Sequence, residues 1–187
     1  MDALMICLLA CGAATLGSRW WLLSAATQRQ LPHLSAYFAI LMTAGLGAGL
    51  AAWFGATIAA QYRGLGMLLL LALALLLAGI GMAWPARPLS AKLQASVKGP
   101  LSATIMLSAA MLSDSAPFII LAAAARTGSA AYAGVGGAIG LMAATAGSAM
   151  IDPVHALPPW LHWLRRAIAA LLIIIGVIAA ARARGIM

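Results

Sequence analysis

The chain has 187 residues, of which 65% are hydrophobic and 7% charged. A soluble domain carries about 25% charged residues to cover its surface, so this composition excludes a water-facing globule and points to an all-α, polytopic membrane protein whose solvent is lipid. The net charge of +8 does not signal nucleic acid: the eleven Lys and Arg punctuate apolar runs, where they mark topology and meet anionic headgroups.

Six apolar segments follow in order, each near the ~20 residues a span requires. The first, Ala3 to Ala26, carries Arg19 and the pair Cys7 and Cys11, four apart on one helix face and read as small buried side chains. Leu8-Leu9-Ala10-Cys11-Gly12 has the shape of a lipoprotein cleavage box. Asp2 stands where a signal peptide carries basic residues, so the segment reads as a retained helix. Leu34 to Ala60 is uncharged, and Gly64 to Trp84 holds the most lipid-like run. A Pro-bounded basic loop with Arg87, Lys92 and Lys98 comes next. Leu101 to Ala125 follows, then Thr127 to Ile151, then Trp160 to Ala181, where Trp160 and Trp163 suit the interfacial belt and Arg165 and Arg166 are expected to snorkel. Six spans put Arg29, Arg87, Lys92, Lys98, Arg165 and Arg166 on one side, against Arg63, Arg126, Arg182 and Arg184 on the other. The bias predicts a cytoplasmic central loop with both termini outside.

The chain also repeats itself at a shift of about 95 residues. Leu16 falls on Leu112, Ser18 on Asp114, Tyr37 on Tyr132, Gly45-Leu46 on Gly140-Leu141, Gly81 on Gly176 and Arg87 on Arg182. A three-span repeat is odd, so its second copy inserts upside down, with any binding site at the repeat interface near the midplane. The expected organisation is a first repeat over 1–86, a basic loop over 87–100 and a second repeat over 101–187. Gly45, Gly49, Gly136 and Gly140 supply small-xxx-small ridges for close helix packing.

Only Asp2, Asp114 and Asp152 are acidic, and Asp114 is the one deep in an apolar run, between Ser113 and Ser115 and just before Pro117. An ionised group at the bilayer midplane costs roughly 2.5–3.5 kcal/mol on insertion scales and marks a site by default. Pro117 also frees a backbone carbonyl within a turn. Asp152 and His155, three apart beside Pro153, read as a solvated turn, and His33 and His162 fall near span ends. With no paired carboxylates and no Ser-His-Asp arrangement, the chain is not expected to be an enzyme.

The layout resembles that of the GDT-type Golgi calcium/manganese:proton exchangers, six-helix proteins of two inverted repeats. Each repeat of that family carries Glu-apolar-Gly-Asp-(Lys or Arg)-(Thr or Ser) on its first helix. Here Thr15-Leu16-Gly17-Ser18-Arg19-Trp20 and Met111-Leu112-Ser113-Asp114-Ser115-Ala116 occupy those places. The first copy keeps Leu16, Gly17 and Arg19, the second Leu112 and Asp114, so of four family acids one remains. The resemblance implies a secondary transporter, with Mn2+ or Ca2+ exchanged for protons and no resident cofactor. Asp114, Ser18, Thr15, Ser113 and Ser115 would serve as oxygen ligands, and a bacterial-type cytoplasmic membrane would be the location. Hard divalent ions want six or more oxygens with carboxylate charge, so this eroded set suits a proton or monovalent ion better. An alternative is a non-transporting membrane scaffold or partner subunit whose site is closed by an Arg19–Asp114 pair, and export of a small organic solute is a third reading. The lipid bilayer is the expected surrounding in every case.

Overall fold

The computed structural model describes residues 2–62, 65–84, 90, 93, 95–149 and 159–183. Among them the regular structure is helical throughout, in eight helices: α1 (Asp2–Thr15), α2 (Arg19–Gln30), α3 (His33–Gln61), α4 (Leu65–Ala83), α5 (Pro100–Leu112), α6 (Ala116–Thr127), α7 (Ala130–Ser148) and α8 (Pro159–Ala183). Four are long and apolar enough to cross a membrane, or up to six spans form if each bent pair counts as one. The chain thus has the make-up of a multi-pass membrane protein.

Two expected spans are not single helices. Ala3 to Ala26 breaks at Leu16–Ser18, where α1 and α2 meet at a 76° bend, and Leu101 to Ala125 breaks at Ser113–Ser115 with a 63° bend. Local chemistry explains both. Gly17 adopts φ +69°, a conformation open to glycine, and Ser18 then caps α2 by accepting from the Trp21 N–H at 3.3 Å. At the second break Ser113 N–H and Asp114 N–H close a tight turn on Ala110 O and Met111 O (3.2 and 3.0 Å). Pro117 falls in the first turn of α6, where its missing N–H is no loss.

The core is built from small side chains. On α3 the buried positions Ala36, Ala39, Ile40, Thr43, Ala44, Ala48, Ala51, Ala52 and Gly55 recur at helical spacing. Leu46, Leu50, Trp53 and Phe54 point outward and exposed. A helix apolar on both faces belongs in lipid, and its inner stripe holds through close backbone approach.

Glycines report the helix directions. A Cβ on Gly136 would strike the Leu4 carbonyl, and one on Gly140 the Leu8 carbonyl, so α1 and α7 run parallel. Gly134 meets Ala52 while Gly137 meets Ala48, so α3 and α7 run antiparallel. Gly79 lies on Ile173 and Gly176 on Leu76, which makes α4 and α8 antiparallel too. The two halves of the chain therefore interleave rather than stand side by side: α1 packs on α7, α3 on both α6 and α7, and α4 on α8. The expected Gly45/Gly49 ridge is not used in this way. Neither has an atom within 4 Å of its Cβ direction, and it is Gly47, on the opposite face, that admits the Met111 side chain. Part of the basic loop, including Arg87 and Lys92, lies outside the described residues, as does Arg63.

Candidate functional site

The two helix breaks face the same interior and bring the buried polar groups together. Asp114 is 8% exposed. Its Oδ1 accepts from the Ser115 N–H at 2.7 Å and from the Ser115 hydroxyl at 3.4 Å, while its Oδ2 is buried with no hydrogen-bond partner. A carboxylate oxygen left bare in low dielectric is costly, on the order of 1–3 kcal/mol or more for a charged group, so this orphan marks a place for a proton, a water or a cation.

Ser18 sits across the interface. Its oxygen caps α2, and its hydroxyl lies close to the Asp114 carboxylate. Two helix N-termini, those of α2 and α6, thereby turn toward the acid, the end at which negative charge is favoured. Thr15 is fully buried at the same break, but its hydroxyl donates back to Cys11 O within α1. Ser113 turns away: it is exposed and donates to Ala110 O at 2.8 Å. Of the expected ligand set, Asp114, Ser18 and Ser115 converge, Thr15 stands behind them, and Ser113 points elsewhere.

The expected Arg19–Asp114 pair is not formed. Arg19 is exposed, and with Leu23, Met106, Ala110, Ser113 and Leu93 it lines a cavity of about 200 Å³ between α2 and α5. Ser18 is the extended cap before α2 and Arg19 the first residue of the helix; the first is buried and the second exposed, so the chain leaves the break with Ser18 turned inward and Arg19 carried out.

The cation inside is Arg165 of α8, expected at the headgroups and found only 5% exposed. Its Nη1 donates to Leu16 O at 2.9 Å and its Nη2 to Met82 O at 3.4 Å. Those carbonyls belong to the C-terminal ends of α1 and α4, where helices leave acceptors unpaired and favour positive charge. The guanidinium also acts electrostatically on Asp114 without forming a salt bridge. Gly17 permits this approach: a Cβ there would lie 2.9 Å from Leu161 Cδ2 and 3.3 Å from Arg165 Cδ. Arg166, by contrast, is exposed and lies over the Trp163 ring at 5.8 Å, at home in an interfacial belt.

Cys7 and Cys11 are free and fully buried. Their thiols interact with one another, and Cys11 Sγ reaches toward Ala116 O at 3.9 Å, beside the second break. Among the described residues no group of three or more His, Cys, Asp or Glu is placed to hold a metal ion. His33 and His162 join no such cluster, and Asp152 and His155 lie outside the described residues. A further set of contacts had no sequence signal: Trp21 Nε1 donates to Ala144 O at 2.7 Å, and Gln28 Nε2 to Thr145 O and Ser148 Oγ at 3.3 Å each, tying α2 to α7. Compared with protein-family models, with curated proteins and with solved structures, the chain matches none of them.

Proposed function

We propose that the chain is an integral-membrane secondary transporter that exchanges a cation for protons, with Asp114 as the group that trades one for the other. The observation that carries this reading is the buried, unpartnered Oδ2 of Asp114 at the meeting of two broken helices. Discontinuous helices whose ends line a buried polar point are how membrane transporters present backbone and side-chain groups to cargo. The antiparallel pairings of α3 with α7 and α4 with α8 support six spans in two inverted three-helix repeats, since equivalent helices of inverted copies must run in opposite directions. A bacterial cytoplasmic membrane, with the basic central loop inside, completes the reading.

Mn2+ or Ca2+ is the cargo that the resemblance to the GDT-type exchangers implies. One carboxylate with the hydroxyls of Ser18 and Ser115, beside a buried arginine, neutralises a divalent ion poorly, so a proton or monovalent cation fits the present donors better. The test is uptake into proteoliposomes of Mn2+, Ca2+ and Na+ under an imposed pH gradient, comparing the parent with Asp114→Asn. Parent flux coupled to proton counterflow, reduced at least tenfold in the variant, is the expected result. Equal flux in both proteins removes the carboxylate from the mechanism. No flux in either favours a scaffold whose interior charge is balanced by Arg165, a second reading for which the burial of that guanidinium speaks.

A further inference from the structure

We propose that Arg165 is a tethered cation that competes with the transported ion for Asp114, and so sets which charge the site accepts. This rests on the transporter reading above and names the residue that determines its specificity.

The guanidinium carries five N–H donors, and its nitrogens Nη1 and Nη2 are engaged with Leu16 O and Met82 O. Asp114 Oδ2 has no partner. A donor with capacity to spare and a bare acceptor thus share one buried interior, each 8% exposed or less. Neither is satisfied by the other as they stand. Two arrangements follow: the guanidinium held on the helix-end carbonyls, which leaves the carboxylate open to a cation or proton, and the guanidinium turned onto Oδ2, which closes the site. The two arrangements differ in the guanidinium end alone, since the arginine Cδ is packed at Gly17 and the carbonyls it now holds lie at helix ends. Whichever arrangement holds, Asp114 and Arg165 sum to zero charge. A divalent ion entering beside them leaves two uncompensated positive charges, and a proton leaves one. Removing the arginine charge converts the site to net −1, which favours divalent ions.

The experiment measures Mn2+ and Ca2+ binding to the full chain in detergent at fixed pH, by equilibrium binding of the radioactive ions. Parent, Arg165→Met, Arg165→Gln, Arg165→Lys, Arg166→Gln and Asp114→Asn are compared. Met fills the volume of the arginine stem without its charge, and Gln keeps one donor for the carbonyls, so either variant decides if the other does not fold. The expected result is tighter Mn2+ and Ca2+ binding in Arg165→Met or Arg165→Gln by roughly tenfold or more, about 1.4 kcal/mol. Parent-like binding is expected in Arg165→Lys and in Arg166→Gln, and the gain is lost when Asp114→Asn is added. Folded Arg165→Met and Arg165→Gln that bind no tighter than parent, while binding still depends on Asp114, would overturn the tethered-cation role. They would leave the transporter reading intact and Arg165 as a helix-end cap. A gain that survives Asp114→Asn overturns both, whereas no Mn2+ or Ca2+ binding by any variant overturns the tethered-cation role and leaves the transporter reading to be decided by the Na+ flux.

Discussion

Gly140→Ala is the substitution on which the packing scheme is most exposed. A Cβ on Gly140 would stand 3.1 Å from the Leu8 carbonyl carbon and 3.1 Å from the Gly12 nitrogen, with the Leu8 oxygen nearer still. Comfortable contact begins at about 3.5 Å, so α1 must withdraw by roughly half an ångström or more. The obstructing atoms are all backbone, and no side-chain rotation relieves them. Overpacking of this kind costs about 1–3 kcal/mol, which at this chain length lowers the melting temperature by about 2–4 °C per kcal/mol. Gly45→Ala is the matched control. Nothing lies within 4 Å of its added methyl group, and replacing a mid-helix glycine by alanine gains roughly 0.5–1 kcal/mol. Thermal unfolding of the detergent-solubilised protein, followed by tryptophan fluorescence, should therefore move in opposite directions for the two variants. If Gly140→Ala melts with the parent, α1 and α7 are not in backbone contact; if Gly45→Ala falls as far as Gly140→Ala, the loss at Gly140 does not report that contact.

Three further outcomes follow from geometry. Gly17 and Gly128 share a left-handed φ, near +69° and +67°, but only Gly17 is packed against Leu161 and Arg165. Gly128→Ala should lose the backbone term alone, about 1–2 kcal/mol, and Gly17→Ala distinctly more; equal melting shifts would contradict the seating of α8 on the first break. Trp21→Phe removes the 2.7 Å bond to Ala144 O and should destabilise by about 0.5–1.5 kcal/mol, a shift readable in the same unfolding assay; an unchanged melting point would detach α2 from α7. Cys7 and Cys11 are fully buried, so N-ethylmaleimide should label neither until the chain is denatured, and mass spectrometry of the folded protein showing an adduct on either would place α1 wrongly.

Composition and spacing made the helical, lipid-soluble character of the chain plain, and the charge of Asp114 singled out the region where buried polar groups gather. The breaks were half visible: Pro117 and the serines around Asp114 signal an interrupted helix, and Gly17-Ser18 is a stop followed by a cap, yet each lies within an apolar run of span length. The arginines were not legible. Arg165 and Arg166 are adjacent, share an interfacial setting with Trp160 and Trp163, and differ only in azimuth; which one faces inward depends on where α8 docks, a long-range fact. Arg19 was matched to Asp114 through its neighbour Ser18, but Ser18 is an extended cap and Arg19 the first helical residue, and the two side chains leave the break in different directions, one buried and one exposed. The Gly45-Leu46-Gly47-Ala48-Gly49 run posed the same difficulty, with small residues on both faces and only tertiary contact to choose Gly47.

The seating of α1 and α2 on α7 has a consequence for biosynthesis. Trp21 and its acceptor Ala144 are 123 residues apart, and a ribosome adding about 5–20 residues per second needs roughly 6–25 s to close that interval. During that time the leading helices are already in the translocon or the lipid without their principal neighbour, and the emerging Asp114 meets Ser18 and the first four helices but not yet Arg165. A nascent chain stalled before α8 leaves α4 without that neighbour and Asp114 without Arg165, and should be a preferred substrate for membrane proteases.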